Sequence, residues 1–322
     1  MLRNTLFIVK TIGGVFFLLL RELLEEFILE LQIKDYSKRT LKMYNNNNKL
    51  CITYLEKELN IFNVEDVKPI HLKKYIKFLQ SQGKEASYIN SLIKAFSSFF
   101  KYAVNEEIIE ENPMKKVSKL KEKKVLINTF TDEEIERMVK FYKKSDYIDI
   151  RNRAIICTFA DTGIRNLELQ QLKNKDVQEN YITIRQSKGK KDRRVPISPF
   201  LRKVLNRWIK CRDTYYKNRY IDEDTPFFLS FRFKELTGTS IERIVRICCV
   251  GANVRSEIRC SPHTIRHYFA QAQLRNGLDV YSLSRLLGHE NIAITKRYLQ
   301  SIQDEEIVEL SVKTSPLMNL RR

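Results

Sequence analysis

The feature that most constrains this chain is the spacing of His263, Arg266, His289 and Tyr298 in a 36-residue segment near its C-terminal end. The segment begins at His263-Thr-Ile-Arg266, passes through Gly288-His289 and ends at Tyr298. Ser261-Pro262 precedes it and is typical of a helix start, with serine as the N-cap and proline at the first helical position. His263 is therefore expected in the first turn of a helix, and Arg266 one turn later on the same face.

The remainder of the segment predicts two short helices separated by a turn. Gly288 is expected to end the helix Val280–Leu287, which places His289 in a turn, and Tyr298 follows on a short helix opened by Asn291. The first turn of the helix that holds His263 presents free backbone N–H groups and the positive end of the helix dipole, both of which favour an anion. The pattern therefore favours a site for a phosphate group.

Ordinary packing is the alternative for each of these side chains. A histidine beside apolar residues is usually hydrogen-bonded within the structure, and Tyr298, four residues after Ile294, has the spacing of a half-buried helical tyrosine. The distribution of histidines argues against packing alone, because three of the four in the chain fall within 27 residues. Of these three, His267 is predicted to be structural, since Tyr268-Phe-Ala270 next to it resembles core.

The composition indicates a polyanionic partner. The chain has 58 Lys and Arg against 39 Asp and Glu, a net charge of +19, and 11% aromatic residues, which indicates a folded binder rather than a basic tail. Nucleic acid is the first candidate, with histone-like wrapping, ribosome binding and an anionic membrane as alternatives. A length of 322 residues with 43% hydrophobic content favours two domains.

The cysteines and the N-terminal residues bear on the compartment. Six cysteines without a C-x-x-C pair suggest neither a zinc site nor a disulfide framework, so a reducing cytoplasm is expected. Residues 1–20 form an apolar extension that Lys10 and Gly13-Gly14 interrupt and that is shorter than a bilayer span. A membrane role is therefore the weaker alternative to an extension that packs on the next helix or to a misjudged start codon.

The predicted organisation has two folded units and a connector. Residues 21–114 have the pattern of four helices, in which the Asn45–Asn48 run is a weak spot or a helix break. Residues 115–128 are rich in lysine and are predicted to be a basic linker without an apolar face. Residues 129–300 are mostly helical, with strands Tyr181–Ile184 and Arg194–Ile197 around a lysine-rich turn, and residues 301–322 form an amphipathic tail.

A second arginine completes the set of residues that suit phosphate chemistry. In Asp161-Thr-Gly-Ile-Arg-Asn-Leu-Glu168, Arg165 follows a glycine expected to end a helix, and Glu168 is placed to orient it. Arg165, Lys188, His263, Arg266, His289 and Tyr298 stand in the order and local context of the tyrosine recombinases, the phage integrase family, which residues 21–300 resemble. This resemblance implies a mainly α, integrase-like fold: a helical, SAM-like core-binding domain and a mostly helical catalytic domain with a small β-sheet.

The resemblance also implies a mechanism and partners. Tyr298 would attack a DNA phosphate to give a 3′-phosphotyrosyl link, with Arg165 and Arg266 gripping the phosphate and His289 supporting it. His263 would take the proton of the phenol, and Lys188, with Lys190 and Lys191 as competitors, would protonate the leaving oxygen. No metal or other cofactor is expected. Double-stranded DNA with inverted repeats, a tetrameric synapse and accessory DNA-bending proteins are the expected partners, and Arg39, Lys94 and Lys119 are candidate DNA contacts.

Two other functions fit parts of this pattern. A DNA-binding accessory protein of the same fold would lose at least one of the six residues, yet all six are present. A type IB topoisomerase would use the same nucleophile only to relax supercoils. The tail that follows Tyr298 argues against it, because Ile307, Leu310 and Val312 suit docking on a neighbouring subunit.

Overall fold

The computed structural model describes residues 10–12, 15–122, 127–185 and 192–299, together with Val312. The chain divides into two compact units, Met1–Lys124 and Val125–Arg322. Lys188, Lys190 and Lys191 lie outside the described residues, as does the tail apart from Val312, which is exposed. No helix in the described ranges is long and apolar enough to cross a membrane.

The first unit consists of a short strand pair followed by four helices. Strands β1 (Lys10–Ile12) and β2 (Val15–Phe17) are antiparallel, with Lys10 opposite Phe17, and were not anticipated from the apolar pattern. The helices are α1 (Leu20–Ile33), α2 (Lys38–Leu59), α3 (Pro69–Ser81) and α4 (Ala86–Asn105). The predicted pattern of four helices is confirmed. The start of α2 has a local signal in Ser37, whose hydroxyl accepts from the backbone N–H of Thr40 in the first turn.

The core of this unit forms where the apolar faces of the helices meet. Phe27 of α1 packs edge-on against Phe99 of α4, with ring centroids 5.7 Å apart. The asparagine run does not break α2: Asn48 is buried and its amide donates to the carbonyl of Tyr44 one turn earlier, 2.9 Å away. The helix-break alternative is therefore wrong, because packing outweighs the low helix propensity of asparagine.

The connector after α4 is ordered more extensively than its lysines suggested. Asn112 caps a 3-10 helix at Pro113–Lys116, and Met114 and Val117 are buried in the core of the first unit. Asn90 exchanges two hydrogen bonds with the backbone of Leu120, at 2.8 and 2.9 Å. The expectation that the linker has no apolar face from residue 115 is therefore wrong. Met114, Val117 and the partly buried Leu120 pack against the core of the first unit.

The second unit is mostly helical with one β-hairpin. Its helices are α5 (Asp132–Phe141), α6 (Tyr147–Thr162), α7 (Asn166–Gln170), α8 (Pro199–Tyr215), α9 (Gly238–Gly251), α10 (Pro262–Arg275), α11 (Val280–Leu287) and α12 (Ile292–Lys296). Strands β3 (Tyr181–Ile184) and β4 (Arg193–Pro196) pair antiparallel, with Ile184 opposite Arg193. The predicted hairpin is confirmed, although β4 begins one residue earlier than expected.

The helices of the second unit are arranged so that α6 lies at the centre. Eleven of its 16 residues are buried, including Phe159, and it packs against α8 and α10. A smaller apolar cluster holds the C-terminal helices, where Phe269 and Leu274 of α10 meet Leu283, Leu287 and Tyr298. This cluster brings the end of α11 beside α10 and positions the residues singled out by the sequence.

Candidate active site

The C-terminal end of α11 is the point on which three arginines converge. Successive backbone carbonyls accept one hydrogen bond each: Leu286 from Arg193 at 2.8 Å, Leu287 from Arg266 at 2.6 Å, and Gly288 from Arg165 at 3.0 Å. The last carbonyls of a helix have no partner within the helix and carry the negative end of its dipole, so cations are favoured there. The end of α11 therefore holds the guanidiniums together despite their mutual repulsion.

Gly288 makes this convergence sterically feasible. It ends α11 in the left-handed region, with φ of 62°, as predicted. A side chain at this position would bring its Cβ within 3.0 to 3.2 Å of three atoms of Arg193. Both the backbone conformation and the close approach of Arg193 therefore favour glycine at this position.

Arg165 lies at the start of α7, where Glu168 holds it. The Glu168 carboxylate accepts from the backbone N–H of Arg165 and from its guanidinium, both at 2.8 Å, which confirms the orienting contact expected from the sequence. Arg193 of β4 donates to the same carboxylate at 2.8 and 2.7 Å. Burial by itself would raise the pKa of Glu168, but Arg193 and then Arg165 lower it to about 2, so the carboxylate stays charged.

Arg266 is the most deeply buried of the three arginines, with 2% of the residue exposed. It lies one turn into α10, and its guanidinium also donates to the carbonyl of Gly163 at 2.6 Å. Burial, and next the charge of Arg165, lower its pKa to about 9, so it remains a cation at neutral pH. Its five N–H donors exceed its three hydrogen-bond partners, the carbonyls of Leu287 and Gly163 and the ring of His289, which suits an oxyanion ligand.

His289 is placed by Gly288 in the turn after α11, as predicted. Its Nε2 lies 3.1 Å from the Arg266 guanidinium, which can only donate, and its Nδ1 lies 2.8 Å from the hydroxyl of Thr295. The contact with Arg266 therefore requires an unprotonated Nε2 and a neutral ring. Burial, followed by the charges of Arg266 and Arg165, lowers the pKa of His289 to about 4, in agreement with that tautomer.

Tyr298 lies just beyond α12 rather than within it, and it is 3% exposed. Asn291 caps α12 as predicted, but this helix ends at Lys296. The Tyr298 hydroxyl is 2.9 Å from Nδ1 of His267. Burial raises the pKa of the phenol, although Arg266, Arg297 and Arg165 oppose this effect.

His267, predicted to be structural, makes this hydrogen bond with the residue predicted to be the nucleophile. Burial, and then the charge of His263, lower its pKa to about 4. A neutral ring has one nitrogen without a proton, so Nδ1 of His267 can accept the hydrogen bond of the Tyr298 phenol. Its position beside Tyr298 arises from packing between α10 and the segment after α12, 31 residues apart. No local signal in the sequence reveals such a contact.

His263 lies in the first turn of α10, as predicted, with Ser261 as the N-cap. It is exposed, and its ring stands edge-on to His267 with centroids 4.1 Å apart. Burial of part of the ring, and then the charge of Arg266, lower its pKa. His263 is thus an accessible side chain whose ring lies against that of His267.

The other candidate DNA contacts are on the first unit, where Arg39 of α2, Lys94 of α4 and Lys119 of the connector are all exposed. The described residues therefore bring five of the six predicted site residues into one part of the second unit. Arg193, which was not among the predicted site residues, joins them through Glu168.

Comparison with known proteins agrees with this geometry. The phage integrase family matches residues 128–305, and the N-terminal SAM-like domain of phage integrases matches residues 23–110. The chain belongs to the phage integrase family. It is a site-specific tyrosine recombinase, an enzyme that cuts and rejoins DNA, with an N-terminal SAM-like domain and a catalytic domain.

Similar proteins span nearly the whole chain. Tyrosine recombinase XerC of Thermodesulfovibrio yellowstonii is 30% identical over 289 residues, covering 88% of this chain and 92% of that protein. Tyrosine recombinase XerA of Pyrococcus furiosus is 29% identical over 306 residues, covering 93% and 96%. The XerH recombinase bound to a palindromic difH substrate shares the fold, with a TM-score of 0.70 at 18% identity, and covers 91% of this chain and 84% of that one.

Proposed function

We propose that this recombinase exchanges DNA strands between two inverted-repeat sites, each bound by two protomers, with Tyr298 as the nucleophile. Integration, excision and resolution are all outcomes of this one exchange reaction. The observation that carries the proposal is the convergence of Arg165, Arg266 and His289 on the end of α11 beside the segment that holds Tyr298. The palindromic substrate of the XerH complex supports inverted-repeat sites, and a lambda integrase tetramer on a Holliday junction supports a tetrameric synapse.

The chemistry is an exchange of one phosphodiester for another. The phenolic oxygen of Tyr298 bonds to the phosphorus, and the bond from phosphorus to the 5′ oxygen breaks, which leaves a 3′-phosphotyrosyl link and a 5′-hydroxyl. Lys188 is proposed to donate a proton to the leaving oxygen. The attack of that hydroxyl on the phosphotyrosyl link of a partner strand reverses the step, so the energy of the bond is conserved and no nucleotide or metal cofactor is required.

The arginines and His289 are proposed to act on the charge that builds on the phosphate oxygens. Arg165 has 41% of its side chain exposed, whereas Arg266 is buried behind it, so Arg165 offers the accessible donors and Arg266 the fixed positive charge. Donors that are already oriented cost little reorganisation when the transition state forms. His289, neutral and tied to Thr295, accepts a hydrogen bond from Arg266 and is proposed to support the phosphate through that guanidinium.

Two histidines of α10 are proposed to act on the Tyr298 phenol, one by accepting its proton and one by hydrogen bonding to it. His263, exposed in the first turn, takes the proton of Tyr298 as the phenol reaches the phosphate, in line with the sequence prediction. His267 holds the hydroxyl before the phosphate arrives, through the 2.9 Å hydrogen bond. A buried, hydrogen-bonded nucleophile is protected from unproductive reaction until DNA is bound.

The first unit is proposed to bind DNA, and the C-terminal tail is proposed to serve assembly, both in the cytoplasm. Arg39, Lys94 and Lys119 are exposed and would neutralise backbone phosphates. The tail at residues 301–322 would dock on a neighbouring protomer and couple the active sites, and accessory DNA-bending proteins would help to assemble the synapse.

The decisive experiment is covalent trapping on a suicide substrate, in which a nick lets the 5′-hydroxyl fragment diffuse away. Wild-type protein should form an adduct that survives denaturing electrophoresis, and Tyr298→Phe should bind the same DNA without forming it. Adduct formation by Tyr298→Phe would assign the nucleophile to another residue.

A further inference from the structure

Arg193 occupies a position that the proposed chemistry leaves without a role. Its guanidinium makes two parallel hydrogen bonds with the Glu168 carboxylate, at 2.8 and 2.7 Å, while Arg165 bonds to the same carboxylate at 2.8 Å. One carboxylate therefore lies between two guanidiniums. Bidentate pairs of this kind fix orientation as well as charge.

Solvent exposure distinguishes Arg193 and Glu168 from Arg165. The side chains of Arg193 and Glu168 are 8% and 13% exposed, whereas that of Arg165 is 41% exposed. The Arg193–Glu168 ion pair is mostly buried, and Arg165 is the residue that a ligand can reach. Arg193 therefore has no need to touch DNA in order to influence Arg165.

The net charge of the trio depends on Arg193. Glu168 and Arg165 alone would form a neutral ion pair, which would attract a phosphate weakly. With Arg193 the trio carries a net charge of one positive unit, located on its exposed side. Charges in partly buried surroundings interact more strongly than in water, so this difference is felt by an anion at Arg165.

The same side chain also fixes the end of α11. Its Nε donates to the Leu286 carbonyl, and the lack of a side chain at Gly288 lets it approach. The Gly288 carbonyl in turn accepts from Arg165. Arg193 thus holds both groups that orient Arg165.

We propose that Arg193 is a positioning residue for strand cleavage, which takes up the charge of Glu168 so that Arg165 keeps its positive charge for the scissile phosphate. This inference rests on the proposed phosphate-binding role of Arg165. It predicts that charge at residue 193 matters for the chemical step more than for DNA affinity, because Arg193 is buried behind the residue that would contact the phosphate.

The test compares single-turnover adduct formation, at saturating protein on a suicide substrate, for Arg193→Met, Arg193→Lys and the double variant Arg193→Met/Glu168→Gln. Arg193→Met should slow cleavage by at least about tenfold, since a displaced or neutralised transition-state donor has effects of that order or larger. Its DNA dissociation constant should change much less. Arg193→Lys keeps the charge and should retain most of the rate.

The double variant separates charge from structure. The amide introduced by Glu168→Gln still accepts a hydrogen bond from Arg165 but no longer cancels its charge, so most of the rate lost in Arg193→Met should return. Arg202→Met is the control, because it removes an arginine whose ion pair with Glu179 lies on the surface. The inference is overturned if the double variant is no faster than Arg193→Met, or if Arg193→Lys is as slow as Arg193→Met.

Adduct formation by the wild-type protein separates a failure of the proposed function from a failure of the role of Arg193. If wild-type protein forms no adduct that depends on Tyr298, the proposed function fails. If it forms one but the Arg193 series does not follow the predicted order, only the role of Arg193 fails. Thermal melting of each variant shows that its second unit is folded, and Arg193→Lys supplies the comparison if Arg193→Met does not fold.

Discussion

The hydrogen bond between His267 and Tyr298 separates two assignments for the proton of the nucleophile. In the proposed scheme His267 only holds the phenol, so His267→Phe removes the 2.9 Å contact while keeping an aromatic ring beside His263. One neutral hydrogen bond contributes about 0.5–1.5 kcal/mol, which corresponds to an about two- to tenfold larger population of the released phenol. Cleavage should therefore become faster by up to that factor. His263→Ala should instead slow cleavage by about 10²–10⁴, as expected for the loss of a general base.

The assay is the rate of adduct formation in a single turnover with protein in excess over a nicked suicide substrate, so that DNA affinity does not enter. Tyr298→Phe gives the background, and melting temperatures of both histidine variants exclude unfolding as the cause of a lower rate. If His267→Phe is slowed as strongly as His263→Ala, the scheme is wrong. His267 would then be the residue that accepts the proton.

Three further predictions concern backbone strain, histidine protonation and the general acid. Gly163→Ala should destabilise the second unit by about 2–5 kcal/mol, from left-handed strain plus a Cβ that would meet Phe269 at 2.4 Å. Gly83→Ala is the control and should cost only about 1–2 kcal/mol, because Gly83 has a similar φ but open space around it. Equal losses of stability by calorimetry would argue against the clash. The pKa values of His267 and His289 lie near 4, below the usual 6.5, so their contribution to stability is present above pH 6.5 and is lost as the pH falls towards 4. The melting temperature should drop across that window, and it should drop less in His289→Gln. An equal dependence of melting temperature on pH in the two proteins would contradict this prediction. Lys188→Ala should regain cleavage on a substrate with sulfur at the bridging 5′ position, because a thiolate leaves without an acid, and such rescue of Lys190→Ala instead would move the acid to Lys190.

Features controlled by neighbouring residues were predictable from the sequence. The caps at Ser261, Gly288 and Asn291 and the hairpin at β3 and β4 depend on side chains within a few positions, and all are present in the structure. The positions of His263 and His289 followed directly from those caps. Local chemistry thus predicted the framework of the site.

Features controlled by distant residues were not predictable in this way. Arg193 meets Glu168 across 25 positions, and His267 meets Tyr298 across 31. The first contact joins β4 to α7, and the second joins α10 to the segment after α12. The burial of Met114 and Val117 in the connector was not predicted for a related reason. Two apolar side chains among many lysines form no periodic pattern, and the surface that buries them belongs to helices distant in the sequence.

The three arginines at the end of α11 also explain why the site is poised for an anion. Bringing Arg165, Arg193 and Arg266 together is unfavourable, and three carbonyls and one carboxylate offset part of that repulsion. Burial, and next the charge of Arg165, lower the pKa of Arg266. A phosphate entering beside Arg165 would relieve the remaining repulsion, most strongly when it carries the extra negative charge of the transition state. In the proposed function, the repulsion among the arginines in the absence of DNA would therefore contribute to preferential stabilisation of the step that breaks the strand.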